Sequence, residues 1–151
     1  MDTYADGTRK RTDYESQETS YWIRSFPAIL CISLSRFKMV QTVTVTKVTK
    51  VTDRITLLPE LRLPYNAKVY VYDLIAIAAH EGTSATSGHY TAYTKRSSQG
   101  VTIWAKYNDT TVSPLSEKSA LAECRATAYA LFYRLRGILA IIPQDAARSS
   151  E

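Results

Sequence analysis

The middle of the chain is written in alternating and short apolar runs, the signature of strands rather than helices. In "FPAILCISLSRFK" (26–38), Ile29, Cys31 and Ser33 alternate with Leu30, Ile32 and Leu34. Apolar residues on both faces predict a buried central strand, with Cys31 an inert buried thiol. "TVTVTKVTKVT" (42–52) alternates Thr with Val43 and Val45, then slips phase at Lys47 before Val48 and Val51, which predicts a half-buried strand with a bulge or break there. "RITLLPELRLP" (54–64) predicts a short strand stopped by Pro59 and Pro64. "KVYVYDLIAIAAHEG" (68–82) is the longest strand-like run; Val69, Val71 and Asp73 alternate with Tyr70, Tyr72 and Leu74, and its uniformly apolar end predicts full burial.

After the loop "EGTSATSG" come "HYTAYT", "KRSSQG" and "VTIWAKYND". The middle piece has turn composition, so 88–109 predicts an antiparallel hairpin, with Lys95 and Arg96 as turn charges. "SPLSEKSALAEC" (113–124) predicts one short helix, with Ser116 as N-cap and Glu117 in its first turn. "ATAYALFYRLR" (126–136) predicts an aromatic-rich strand. The architecture expected is mainly antiparallel β with one short helix. Residues 1–25 read as a poorly defined lead-in, 26–136 as the domain and 137–151 as a tail.

Composition narrows the function classes. The chain has 151 residues, 45% hydrophobic and 22% charged, enough for one domain with a core. The net charge of +5 is spread along the sequence, with only "RKR" at 9–11 clustered, so nucleic acid is not the expected partner. Cys31 and Cys124 stand far apart and form no CxxC pair. The first residues lack the apolar core of a secretory signal, and "LIAIAA" is far too short to span a bilayer, so no membrane is expected and a cytoplasmic or nuclear location is the default.

The candidate chemistry sits on the hairpin. The chain has two histidines, His80 and His89, flanking the glycine- and hydroxyl-rich loop. His89 opens one strand, and Asn108 and Asp109 end its partner, so antiparallel pairing makes them neighbours. An amide or carboxylate oxygen there would accept the Nδ1 hydrogen, fix the tautomer and leave Nε2 to take a proton. That is two members of a Cys-His-Asn/Asp triad on one hairpin.

The order of motifs then carries a resemblance. Pro27 and Leu30 with Arg36 and Phe37, His80-Glu81-Gly82, Gly88-His89-Tyr90, Trp104, Tyr107-Asn108-Asp109 and "YALFY" (129–133) follow one another in the sequence. Over 26–134 this resembles the C-terminal half of the catalytic domain of the ubiquitin-specific protease family. The resemblance implies an α+β, papain-like cysteine protease fold, of which this chain is mainly the antiparallel palm and fingers portion. It implies deubiquitination, the hydrolysis of the bond after ubiquitin's C-terminal glycine. His89 would be the catalytic base, Asn108 its orienter and Asp109 an assisting neighbour. His80, Gly82, Gly88 and Tyr90 would line the path of ubiquitin's tail, the glycines allowing close backbone approach.

The departures are as informative. The family's nucleophile lies in a Cys box well before this stretch, and neither Cys31 nor Cys124 matches it; no helix start follows either to lower its pKa. The expectation is that the chain supplies the His/Asn half of the triad and is inactive alone, its partners being ubiquitin or a ubiquitinated protein and a missing N-terminal lobe. The family's paired zinc-binding cysteines have no counterpart in "YADGTRKRTDYESQ", so no metal and no cofactor is expected. The alternative is a non-catalytic ubiquitin-binding or scaffold module.

Overall fold

The computed structural model describes residues 23, 25–41, 46–82, 84, 87–98 and 100–141. Most of the predicted lead-in and tail lie outside these residues. The described chain forms nine strands and one helix: β1 (Ile29–Ser33), β2 (Phe37–Gln41), β3 (Thr46–Lys50), β4 (Glu60–Tyr65), β5 (Lys68–Glu81), β6 (His89–Ser98), β7 (Val101–Asn108), β8 (Thr111–Leu115), α1 (Glu117–Cys124) and β9 (Ala128–Ala140). Seven strands make one antiparallel sheet in the order β1-β9-β5-β6-β7-β8, with β4 also paired to β5; β2 and β3 form a separate hairpin.

Strand β5 organises the sheet. One edge pairs with β9 over Lys68 to Ala79; the other pairs with β4 over Lys68 to Asp73 and with β6 over Ala76 to Glu81. The register against β9 slips between Leu74 and Ala76. This bulge inverts the side-chain phase, so Tyr72 and Leu74 before it and Ile77 and Ala79 after it all enter one core. That explains why the end of this run lacks the clean alternation of its start.

The core lies between the sheet and α1. Trp104, Tyr93, Leu131 and Tyr133 meet Ala120 and Cys124 of the helix and Leu57 of the preceding loop. Ser116 caps the helix as expected, its hydroxyl accepting from the Ser119 backbone N–H. Glu117 accepts from Lys95 Nζ at 2.9 Å and from Trp104 Nε1 at 3.3 Å. At the other end, Glu123 accepts from the Tyr93 hydroxyl at 2.9 Å and Lys106 Nζ at 3.2 Å. Lys95 is therefore a strand residue tied to the helix, not a turn charge.

Several expectations change. β1 is an edge strand, not a central one: only Leu30, Ile32 and Leu34 pack on the core, while Ile29 and Cys31 are exposed. β3 runs through Lys47 in unbroken register with β2, and Val48 is exposed while Lys50 is buried, because the hairpin stands apart from the main sheet. Pro59 immediately precedes β4 rather than ending a strand, and Pro64 sits inside β4, opposite Val69. β4 and β8, which holds Pro114, have one neighbour each, and such edges tolerate a missing N–H. The hairpin strands extend through 95–98 to a turn at Gly100. β9 continues four residues past 136, with Ala140 opposite Lys68.

The β4–β5 turn places Asn66 at φ 48° and Ala67 at φ 56°, both left-handed, as a tight hairpin twist requires. Asn tolerates this region; alanine does so at a steric cost. Ala67→Gly is expected to stabilise the chain by about 1 kcal/mol, measured as a raised denaturation midpoint with unchanged slope.

Candidate active site

His89 and Asn108 are brought together as the hairpin predicts. The register Ala92↔Tyr107 and Tyr93↔Lys106 carries the start of β6 alongside the end of β7. Strand alternation puts His89, with Thr91 and Tyr93, on the face that carries α1, and puts Asn108 on the same face as Lys106 and Trp104. The His89 Nε2 and Asn108 Oδ1 atoms lie 2.5 Å apart. An amide oxygen only accepts, so Nε2 carries the hydrogen and donates it. This reverses the expected roles of the ring nitrogens: Nδ1, not Nε2, is left to exchange a proton. The strand order of the residues could not distinguish them, because either nitrogen can reach a neighbouring strand by rotation of the ring.

Asp109 follows at φ 50°, in the turn between β7 and β8. Its carboxylate lies 3.9 Å from the same Nε2 and is largely exposed. It forms an ion pair when the imidazole is protonated, weakened by solvent. Asn108 and Asp109 thus both address Nε2, the amide by contact and the acid by charge.

The loop base next to His89 is tightly built. Glu81 is the cross-strand partner of His89, and His80 that of Tyr90. The His80 ring is buried, 4% exposed, rather than lining an open channel. It lies 4.6 Å from the Tyr90 ring and 6.0 Å from that of Phe37; Tyr129 closes the cluster against both Tyr90 and Phe37. Tyr90 is its exposed member. Gly88 has no room for a side chain: a Cβ would fall 2.2 Å from His80 Nε2 and 2.4 Å from the Glu81 carbonyl oxygen. Gly82 has φ 124°, and a Cβ there would meet Gly88 Cα at 3.0 Å. Both glycines are required by the packing of this loop base.

Sequence reasoning missed two buried cations beneath this end of the sheet. Arg36 donates to the carbonyls of Ala128, Asp53 and Arg125, tying β9, the 51–59 loop and the end of α1 together. Lys50 Nζ donates to the carbonyls of His80 at 2.5 Å and Gly82 at 2.9 Å. Burial, then the charge of Arg36, lowers the Lys50 pKa, with Glu81 opposing. The one sequence signal was Lys50 itself, a lysine near the end of a Thr/Val run. Among the described residues, no group of three or more His, Cys, Asp or Glu side chains could hold a metal.

The thiols stand elsewhere. Cys31 pairs with Phe132, Phe132 with Ala76 and Ala76 with Thr94, so it is level with the middle of β6 and three strand spacings away, roughly 14 Å across the sheet. Cys124 is fully buried, and burial pushes its thiol pKa up to about 12. Neither offers a thiolate to His89.

Two measurements test this packing. Gly88→Ala is expected to destabilise the chain by about 1–3 kcal/mol through overpacking against His80, read from chemical denaturation. Burial, then Lys50, also holds the His80 pKa below the ordinary histidine value. Unfolded, a histidine takes its proton near 6.5; folded, His80 takes it only at lower pH. The unfolded state therefore binds more protons in that window. Stability is expected to be full above about pH 6.5 and to fall as pH drops below it. His80→Phe should flatten this part of the pH–stability curve.

Comparison with known proteins places the chain in a family. A family model described as "Ubiquitin carboxyl-terminal hydrolase" matches residues 8–133. Human ubiquitin carboxyl-terminal hydrolase 31 is 44% identical over 81 residues, 54% of this chain and 5% of that protein. Human ubiquitin carboxyl-terminal hydrolase 3 is 33% identical over 121 residues, 75% of this chain and 21% of that protein. The chain thus spans about a fifth or less of these two relatives. Among solved structures, the yeast SAGA DUB module matches 74% of this chain with TM-score 0.62 and 31% identity, over 24% of the matched chain. A Ubp8-containing SAGA DUB module bound to monoubiquitin matches the same share of this chain, with TM-score 0.61 and 32% identity. With a family model covering most of its length and a matching fold, this chain belongs to the ubiquitin carboxyl-terminal hydrolase family and carries part of its cysteine protease fold.

Proposed function

We propose that this chain supplies the general base and its orienting residue to a cysteine-type deubiquitinase, the nucleophilic thiol coming from outside the stretch 26–141. The observation that carries this reading is the His89 Nε2–Asn108 contact, which leaves Nδ1 free. Nδ1 would take the thiol proton as sulfur attacks the carbonyl of ubiquitin's C-terminal glycine. The imidazolium, held by Asn108, would return that proton to the leaving amine as the C–N bond breaks. Water, losing a proton to the same nitrogen, would then cleave the thioester and release the thiol.

Gly82, Gly88 and the exposed Tyr90 ring are the surface proposed for ubiquitin's tail, with His80 supporting it from beneath. The partners are ubiquitin or a ubiquitinated protein and a lobe bearing the thiol, in the cytoplasm or nucleus. The position of Cys31 and the burial of Cys124 favour inactivity of this chain by itself, and they also favour a second reading as a ubiquitin-binding module without hydrolysis.

The test uses ubiquitin with a fluorogenic C-terminal amide. This chain alone is expected to give no turnover; turnover lost on Cys31→Ser or Cys124→Ser would overturn the external nucleophile. Joined to the thiol-bearing lobe of a family relative, it is expected to give turnover that His89→Ala lowers by about 10²–10⁴-fold. Ubiquitin binding without turnover in that fusion would establish the second reading.

A further inference from the structure

We propose that Lys50 is a positioning residue for His89, acting through the two peptide groups that flank Glu81. The inference rests on the reading of His89 and Asn108 as base and orienter, and deepens it. Lys50 ends β3, in the hairpin outside the main sheet, yet its ammonium group reaches the end of β5. It holds the carbonyls of His80 and Gly82, one residue to either side of Glu81. Glu81 is the residue that pairs with His89, and it is the last in the β5–β6 ladder.

A ladder end frays unless something holds it, because its last residue has paired neighbours on one side only. The opposite edge of β5 gives limited help there. Its register with β9 ends at Ala79↔Ala128, and beyond it the His80 N–H donates to the Thr127 carbonyl. Lys50 supplies the anchor beyond that point. An ammonium offers three donors and carries charge, so each of its carbonyl contacts is stronger than a neutral hydrogen bond. The bond to His80 is buried and that to Gly82 part-buried, with Lys50 8% exposed, so water competes weakly for the His80 carbonyl.

The consequence is geometric. Gly82 and Gly88 touch at the loop base, and Gly88 is seated against the His80 ring. Fixing the peptides on both sides of Glu81 therefore fixes the start of β6, and with it the direction from which His89 meets Asn108. Lys50 donates to these two main-chain carbonyls, not to the His89 ring. Its effect passes entirely through the backbone.

The two histidines make the test direct. Imidazole nitrogen NMR spectra of the full chain, at mildly alkaline pH, resolve His80 and His89 after one substitution each for assignment. His89 is expected in one tautomer, with hydrogen on Nε2. Lys50→Met keeps the length and removes the donors; it is expected to move both His89 nitrogen signals toward the average of the two tautomers. Lys50→Arg should return them toward their starting positions. A folded Lys50→Met chain with unmoved His89 signals would reduce Lys50 to a stitch for its own hairpin and overturn the proposal. If Lys50→Met does not fold, Gly82→Ala decides, since it strains the same loop base at φ 124°. Averaged His89 signals there support the proposal and unmoved ones overturn it. Asn108→Ala separates the two levels. Unmoved signals in that variant mean the His89–Asn108 pairing fails, and the role of Lys50 with it. Unmoved signals only in the Lys50 and Gly82 variants leave the pairing standing and remove Lys50.

Discussion

The pairing of β5 with strands on both edges is the constraint on which the rest of the structure depends. One edge must hold β9 while the other changes hands from β4 to β6. The bulge near Ile75 makes that exchange compatible with a single core. With strict alternation, Tyr72 and Leu74 would share a face with Ala76 and Ala78, and Ile77 and Ala79 would leave the helix side. The slip keeps all four large or close-packed residues under α1. It also decides which face β6 presents there, because β6 pairs only with the part of β5 beyond the bulge. The appearance of His89 on the helix side is thus set about six residues upstream of its own pairing partner.

Polar groups do the remaining fixing, and they do so in pairs of opposite character. Above the sheet, Glu117 and Glu123 bind the two ends of α1 to Lys95, Trp104, Tyr93 and Lys106. Burial pushes the Tyr93 hydroxyl pKa up to about 12, so it stays a neutral donor to Glu123. At the end that carries His89, and among the described residues, Arg36 and Lys50 donate to backbone carbonyls. A buried cation without a carboxylate needs several dipoles to offset its lost hydration. Loop and strand-end carbonyls are the ones free to serve, since those inside the ladder already have partners. Such cations therefore gather where regular structure stops, and here that is beside the strand start that carries His89.

What the sequence made legible was local. The run 68–82, the hairpin carrying His89 and Asn108, and the capped helix at Ser116 each follow from neighbours in the chain, so periodicity and capping chemistry find them. What it hid was relational. The residues of β1 alternate in the same way whether one or two strands flank them, so the exposure of Cys31 could not be read from its apolar neighbours. Pro64 and Pro114 argue against strands only if those strands have partners on both sides. Nothing beside Lys50 in the chain marks it as buried, because its two carbonyl partners lie some thirty residues away.

The nitrogen that donates to Asn108 has the largest consequence for chemistry. A base is useful only if its free lone pair points where the reacting atom will stand. With Nε2 committed to Asn108, the lone pair on Nδ1 lies across the ring from the amide. On the proposed reading, the side opposite the hairpin end is then where proton transfer takes place. On the same reading, a thiol that uses this base approaches from there, carried by structure outside β1–β9; Cys124 is locked under α1 and Cys31 lies on the far edge of the sheet. Alignment of sulfur with nitrogen is then a problem of docking one body on another. Small errors in proton-transfer distance reduce rate steeply. On that reading the sheet must hold its half of the pair rigid in advance, and the packed glycines, the seated His80 ring and the two carbonyl-bound cations brace the end of β5 where its ladder with β6 runs out.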